Sequence, residues 1–261
     1  MNLNLLGKNA LVGGGSRGIG RAVAIELSRL GANITLLARD ASMLSQTLKA
    51  LDRSKGQEHD FMAVDYNDRE DLHRKIRALL MQKPVHILIN NTGGPPGGAL
   101  LEAEEDAFLH AFQNHLLCNQ LLARMLLPVM TELRYGRIIN IISTSVKQPL
   151  DNLGVSNTVR AAVANWAKTL ANETSAENVT VNNVLPGATE TDRLKQIIRA
   201  KAEMTGLKQS DIVEKMKSSI PKRRFARPEE VAAAVAFLAS PAASYIHGIN
   251  LPVDGGRTKC L

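Results

Sequence analysis

The octapeptide GGGSRGIG, residues 13–20, constrains this chain more than any other segment. It follows the apolar run NALV and opens a stretch in which Ile19, Val23, Leu27 and Leu30 fall near one helical face. Glycines in such a turn let the backbone bend sharply and approach a pyrophosphate, and the helix N-terminus behind them favours negative charge. A tight structural turn would also use glycine. The placement between a first strand and a first helix points instead to a dinucleotide, with Gly14, Ser16, Arg17, Gly18, Ile19 and Gly20 around it.

The same alternation continues along the chain. Strand-like runs occupy 9–14, 33–39, 59–65, 85–91, 136–143 and 179–187, and NLPVDGG supplies a short last one. Helix-period segments lie between them, at Ile19–Leu30 with Gly31 past its end, Ala41–Leu51, a segment ending near Met81, Glu104–Leu133, Val155–Glu177 and EEVAAAVAFLAS after Pro228. Repeated strand–helix–strand units predict an α/β fold of the Rossmann type, a doubly wound parallel sheet flanked by helices. Hydrophobic residues make up 44% and aromatics 3%, so aliphatic side chains fill the core, as in a sheet covered on both faces. The length of 261 residues suits one large α/β domain. Residues 192–225 stand apart as polar, Lys-rich and weakly helical. They follow a strand's carboxyl end, where such sheets bind ligands, and are expected to form a mobile lid over the substrate, the alternative being a surface helix pair.

The formal net charge is +7, but the basic residues are scattered and stacking aromatics are scarce, which argues against a nucleic-acid partner. KRR at 222–224 reads as a solvated loop. No apolar run is long enough for a bilayer, and the start shows no secretory pattern, so no membrane association is expected. Cys118 and Cys260 have neither metal nor redox spacing. A reduced, cytoplasmic setting follows as the expectation.

The end of the second strand selects the cofactor in such folds. An acid there holds a ribose 2′-hydroxyl, and a cation accommodates a 2′-phosphate. Here the strand ends Ala38-Arg39, and Arg17 lies in the glycine turn. Two cations and no selecting acid favour NADP(H) over NAD(H). Arg39 can also be an ordinary charge flanking a helix, and Asp40 is expected to cap that helix.

Five motifs in order carry a family resemblance: GGGSRGIG, Asp65-Tyr66 in AVDYND, NNTGG at 90–94, LPGATETD at 185–192 and YIHGINLPVDGG at 245–256. The chain resembles the short-chain dehydrogenases/reductases from end to end, most of all the 3-oxoacyl-carrier-protein reductases and their paralogues. That resemblance implies adenine contacts at Asp65 with Tyr66 beside it. It also implies a cofactor role for Asn91 and Gly93 and a nicotinamide end at Pro186, Gly187, Thr189 and Thr191. The two threonines have an alternative role as turn-forming hydroxyls. A homotetramer or homodimer is the family expectation.

The resemblance breaks at the chemistry. The family's relay is Asn, Ser, Tyr and Lys. Here Ser143 keeps the serine position, whereas the others read His115, Ser156 and Arg160. Arg160 keeps the positive charge and can donate to the ribose hydroxyls of the cofactor, but arginine holds its proton at working pH, and an aliphatic alcohol is a poor acid by itself. An unperturbed His115 titrates near neutrality and is a candidate acid, unless it is a packing histidine of its helix. His110, earlier on that helix, is expected at the surface. The SNTVR segment and the turn GGPPGG at 93–98 resemble a divergent branch of the family, whose members carry a similar SNxxR segment with a GGPP-type turn. The leading expectation is an NADP(H)-dependent oxidoreductase acting on a carbonyl or secondary alcohol, of small-molecule or acyl-carrier-bound (3-oxoacyl) type, with Arg134 and Arg137 available to an acidic carrier. A non-catalytic nucleotide-binding sensor or assembly subunit is the alternative, and a lyase or isomerase is a third.

Overall fold

The computed structural model describes residues 1–174 and 178–260. Seven strands, β1 (Asn9–Gly13), β2 (Asn33–Ala38), β3 (Asp60–Ala63), β4 (Ile87–Asn90), β5 (Gly136–Ile141), β6 (Val179–Pro186) and β7 (Asn250–Val253), form one parallel sheet in the order β3-β2-β1-β4-β5-β6-β7. Chain order reverses between β1 and β4. Ligands of doubly wound sheets bind at that reversal, beyond the carboxyl ends of the strands.

Alternation within each strand feeds two cores. Ala10 and Val12 of β1 face one layer and Leu11 the other. The first layer is covered by α1 (Gly18–Arg29), α2 (Ala41–Lys49) and α9 (Pro228–Ala239). The second is covered by α3 (Arg69–Gln82), α5 (Cys118–Glu132) and α6 (Gly154–Glu173). The predicted helix at 155–177 ends at Glu173, with Thr174 as its cap. Its last three predicted positions lie outside the described residues.

The long helix expected over 104–133 is interrupted. α4 (Glu105–Phe112) and α5 are joined through a π-helical turn at Gln113–Leu117. Side chains of that turn are held from outside the helix. Gln113 Nε2 donates to the Asn67 carbonyl at 2.9 Å, Asn114 Nδ2 to Asn67 Oδ1 at 3.1 Å, and His115 Nδ1 meets Thr92 Oγ1 at 2.6 Å. An extra residue in the turn swings these groups toward their partners while the apolar stripe runs on past it.

The segment 192–225 is more ordered than its composition suggests. It forms α7 (Asp192–Thr205) and α8 (Gln209–Ser218), separated at Gly206, whose φ of 69° favours glycine. Leu194, Ile198, Ile212, Ile220 and Phe225 pack into a small core of their own.

Four asparagines tie the carboxyl half of the sheet together. Asn90, Asn140, Asn183 and Asn250 are cross-strand neighbours in register. Each passes its side-chain amide to the next, all at 2.8 Å: Asn90 Nδ2 to Asn140 Oδ1, Asn140 Nδ2 to Asn183 Oδ1, and Asn183 Nδ2 to Asn250 Oδ1. Asn140 is 1% exposed. Asn140→Ala strands one buried donor and one buried acceptor, at a cost of about 2–4 kcal/mol. Urea denaturation is expected to show that loss, and a loss below about 1 kcal/mol would mean that the ladder contributes no more than a single ordinary bond.

Candidate active site

β1 ends in the glycine turn. Gly14 and Gly18 have φ of 58° and 54°. A Cβ on Gly20 would stand 2.2 Å from the Gly14 carbonyl oxygen and 2.7 Å from Asn91 Nδ2, so only glycine fits there. Asn91, just past β4, donates to the Gly13 carbonyl at 3.2 Å and fills the space over Gly14. The turns after β1 and β4 are thereby locked to each other. The N-terminus of α1 has no side-chain cap and no acid in its first turn. Its first N–H groups stay free for an anion, and the helix dipole favours one there. The cradle fits a dinucleotide pyrophosphate.

The opposite wall of the crevice is the segment after β6. Pro186 and Gly187 lead to Thr189, whose hydroxyl donates to the Gly187 carbonyl at 3.1 Å. Thr191 donates to the Thr189 carbonyl and accepts from Leu194 N, so it caps α7. Both threonines serve turns, the alternative role, and Thr191 also lies over the glycine turn: its Cγ2 is 3.2 Å from where a Cβ on Gly18 would stand.

Asp65, the residue expected to meet adenine, accepts from the backbone and side chain of Asn67 at 3.0 Å and lines an open groove with Asn67, Asp68, Arg69 and Glu70. Tyr66 departs from its expected ligand role. Its phenol is turned into the core, where burial pushes its pKa up, and its oxygen has no hydrogen-bond partner among the described residues. That oxygen lies 2.8 Å from where a Cβ on Gly13 would stand. A side chain at position 13 and the phenol cannot share the space. Asp40 caps α2 by accepting from Met43 N at 3.1 Å, as expected. Arg39 is exposed, and Arg17 meets Asp40 at 3.7 Å in a solvated pair.

The residues at the relay positions converge. Ser143 follows β5, and its Oγ accepts from Ser145 N at 3.1 Å. Arg160, in α6 and 9% exposed, reaches back to β5: Nη1 donates to the Ile142 carbonyl at 3.0 Å and to that of Ile141 at 3.4 Å. Its Nε donates to Ser156 Oγ, one turn earlier, at 3.2 Å. Burial, with Arg193 as a second cause, lowers Arg160 to about 10, so it remains a cation near neutrality.

His115 does not titrate near neutrality as expected. Burial and the nearby Arg160 pull it down to about 3, against a hydrogen bond to the Gly93 backbone that favours protonation. The neutral ring is taken up with Thr92 and the turn at Gly93. Beside it a cavity of about 10 Å³ is lined by Asn90, Asn91, Thr92, His115 and Asn119 together with the apolar Ile141, Ile142 and Val163. Arg137 is also not the surface cation expected, being 2% exposed and bonded to the Gly136 and Asn178 carbonyls. With Arg134 it lies at the amino end of β5, the end of the sheet away from the crevice.

Residues 14–258 match the family described as Enoyl-(Acyl carrier protein) reductase. The 3-oxoacyl-[acyl-carrier-protein] reductase FabG of Pseudomonas aeruginosa is 33% identical over 97% of this chain and 98% of its own length. The solved L-sorbose reductase of Gluconobacter frateurii, complexed with NADPH and L-sorbose, superposes with a TM-score of 0.93 at 30% identity, covering both chains fully. YwfH, an NADPH-dependent reductase involved in bacilysin biosynthesis, superposes with a TM-score of 0.89 at 28% identity over 97% of this chain and 99% of that one.

The chain is a short-chain dehydrogenase/reductase. Its class is that of oxidoreductases working with a nicotinamide dinucleotide, and no helix among the described residues is long and apolar enough to cross a membrane. In this short-chain dehydrogenase/reductase, sequence reading missed Arg193 and Thr92. Arg193 donates to the Pro95 carbonyl across 98 residues, and Thr92 pins His115 across 23. The GGPPGG loop was the one visible trace of the first contact.

His115 also makes stability depend on pH. With its folded pKa near 3 and an ordinary value of 6.5, the unfolded chain binds the extra proton between those limits. Stability from this group is complete above pH 6.5 and is lost as pH falls toward 3, by up to about 1.4 kcal/mol per unit. His86, lowered to about 4 by burial and Lys8, adds a slope of the same sign. Denaturation at pH 7 and pH 5 is expected to show a smaller difference for His115→Asn than for the wild type; equal differences would refute a buried neutral imidazole.

Proposed function

We propose that this short-chain dehydrogenase/reductase interconverts a carbonyl and a secondary alcohol with NADP(H), without a phenolic acid. The observation that carries the reading is the placement of the Ser156–Arg160 pair beside the end of β5, across the crevice from an uncapped α1 and its glycine cradle. The dinucleotide, when bound, supplies or takes up the hydride. The turn at Gly14–Gly20 presents free N–H groups to its pyrophosphate, Asn91 and Gly93 shape the floor, and Pro186 to Thr191 form the facing wall.

The preference for NADP(H) rests on Arg39 and Arg17. Asp40 is the acid next to them, and its carboxylate is committed to capping α2. The solvated Arg17–Asp40 contact is weak and leaves the guanidinium free to turn toward a 2′-phosphate.

For the proton, Ser156 Oγ accepts from Arg160 Nε and Ser143 Oγ accepts from Ser145 N, so each hydroxyl keeps its own hydrogen to donate. Two donors with a retained cation behind one of them stabilise negative charge on a substrate oxygen. Arg160 keeps its proton, and water delivers the proton through Ser156. His115 positions the Thr92–Gly93 turn and transfers nothing. A 3-oxoacyl compound suits such a site; if it comes on a carrier, the carrier approaches the carboxyl edge of the sheet, under the α7–α8 segment acting as a lid, and not Arg134 and Arg137.

The assay is NADPH and NADH oxidation by the purified protein against a panel of carbonyl compounds. Ser156→Ala is expected to lower kcat about 100-fold with NADPH affinity retained, and the wild-type rate is expected to show no inflection near pH 6.5. Binding of NADPH with no turnover on any carbonyl would leave the non-catalytic reading standing instead. In calorimetry, Arg39→Ala is expected to weaken NADPH about tenfold and leave NADH unchanged. Equal loss for both would remove Arg39 from 2′-phosphate selection, and no loss for either would leave it a surface charge.

A further inference from the structure

A second guanidinium faces the one on Arg160. Arg193, in the first turn of α7 and half-buried, reaches the loop after β4 and donates to the Pro95 carbonyl. A side chain built on Gly94 would stand 3.4 Å from Arg160 Nη2 and 3.7 Å from Arg193 Nη2. Both groups therefore border one small volume over the Gly94 backbone, and a Cβ at that position would occupy it.

Among the described residues, neither cation has a counterion. Among the described residues, the ion pairs involve Arg17, Arg29, Arg74, Lys75, Lys195, Lys217, Arg224 and Arg227, and no carboxylate comes within 4.0 Å of Arg160 or Arg193. The carbonyls of Ile141, Ile142 and Pro95 satisfy some donors and none of the net charge. Two like charges drawn partly out of water without a counterion disfavour the fold, and an anion between them reverses that. A guanidinium pair matches the paired oxygens of a carboxylate or phosphate. Arg160 holds Ser156 with Nε and turns Nη2 toward Gly94, so the volume adjoins the Ser156 hydroxyl.

We propose that Arg160 and Arg193 form an anion subsite, and that the substrate is a carbonyl compound bearing a carboxylate or phosphate near the reacting carbon. The proposal rests on the oxidoreductase reading above and adds the substrate class. It also gives the α7–α8 segment a reason to close. Arg160 stands on α6, against the sheet, whereas Arg193 stands on that segment. An anion held by both ties the segment down over the site.

The same oxyanion chemistry has two sources, the substrate and the phosphates of the dinucleotide, and the test separates them. Malonate and inorganic phosphate are titrated by calorimetry into the NADP⁺-loaded protein, and NADPH into the free protein, each as wild type and Arg193→Met. Malonate, phosphate or both are expected to bind the wild type and to weaken about tenfold in the variant, with NADPH affinity held. A matching loss of NADPH affinity would give the pair to the dinucleotide and overturn the proposal. So would failure of the wild type to bind either anion.

In the kinetic arm, 2- and 3-oxo acids are compared with their methyl esters. The wild type is expected to favour the acid by about tenfold or more in kcat/KM. Arg193→Met brings that ratio toward one, and Arg193→Lys restores part of it. Equal rates on acid and ester overturn the proposal. Should no carbonyl be reduced at all, the oxidoreductase reading falls, and calorimetry still decides the anion subsite by itself.

Discussion

The contact between Asn91 and the glycine turn sets the geometry of everything at the carboxyl edge of this sheet. β1 and β4 pair side by side, and at their carboxyl edge the chain order reverses, so the two loops leave in opposite directions and open a crevice. Asn91 closes the floor of the crevice. Its amide donates to the Gly13 carbonyl and occupies the space that side chains on Gly14 and Gly20 would need. The glycines serve this close approach as well as any ligand: with a Cβ at position 20, the Gly14 carbonyl and the Asn91 amide would both have to move. The free N–H groups of α1 point where they do because this packing leaves them no other course.

The second level of organisation is polar and runs across the sheet. The asparagine ladder carries side-chain hydrogen bonds from β4 to β7 in the layer that supports the crevice. Asn90 Oδ1, at its end, has no partner among the described residues and borders the small cavity beside His115. His115 in turn holds Thr92, and the π-helical turn exists where that contact is made. A histidine at this point acts as a neutral strut. Burial keeps the imidazole uncharged, and an uncharged ring can accept from the Thr92 hydroxyl, which an imidazolium cannot do at the same nitrogen.

Short-range chemistry was legible in the sequence, and long-range register was not. The seven strands and the glycine turn could be read because periodicity and turn residues act within a few positions. So could the Asp40 cap. The break at 113–117 escaped because Ala111, Cys118 and Leu122 continue the buried stripe on both sides, and the cause of the break lies on other elements, at Asn67 and Thr92. Tyr66 stood beside Asp65 in a motif that the family resemblance tied to adenine, but the direction of its phenol depends on the room left by Gly13. Arg137 looked like a surface charge because nothing local says that three carbonyls surround it. The polar segment 192–225 hid its small core because Leu194 and Ile198 find Ile212 and Phe225 only once two helices fold back on each other.

Arginine at position 160 does what lysine could not. An ammonium is a point charge on a flexible stem, whereas a guanidinium is a planar fork with donors on several sides. Arg160 uses that fork at once on the end of β5, on Ser156 and on the space over Gly94. The bond to the Ile142 carbonyl grips the residue just before Ser143, so the backbone leading to that serine is held by the same side chain that donates to Ser156 Oγ. Loss of the phenol and replacement of the lysine therefore belong to one rearrangement. Once no tyrosine needs a neighbouring ammonium to lower its pKa, the cation at this position is released to act on charge directly, and the geometry favours the group that can do so from two faces.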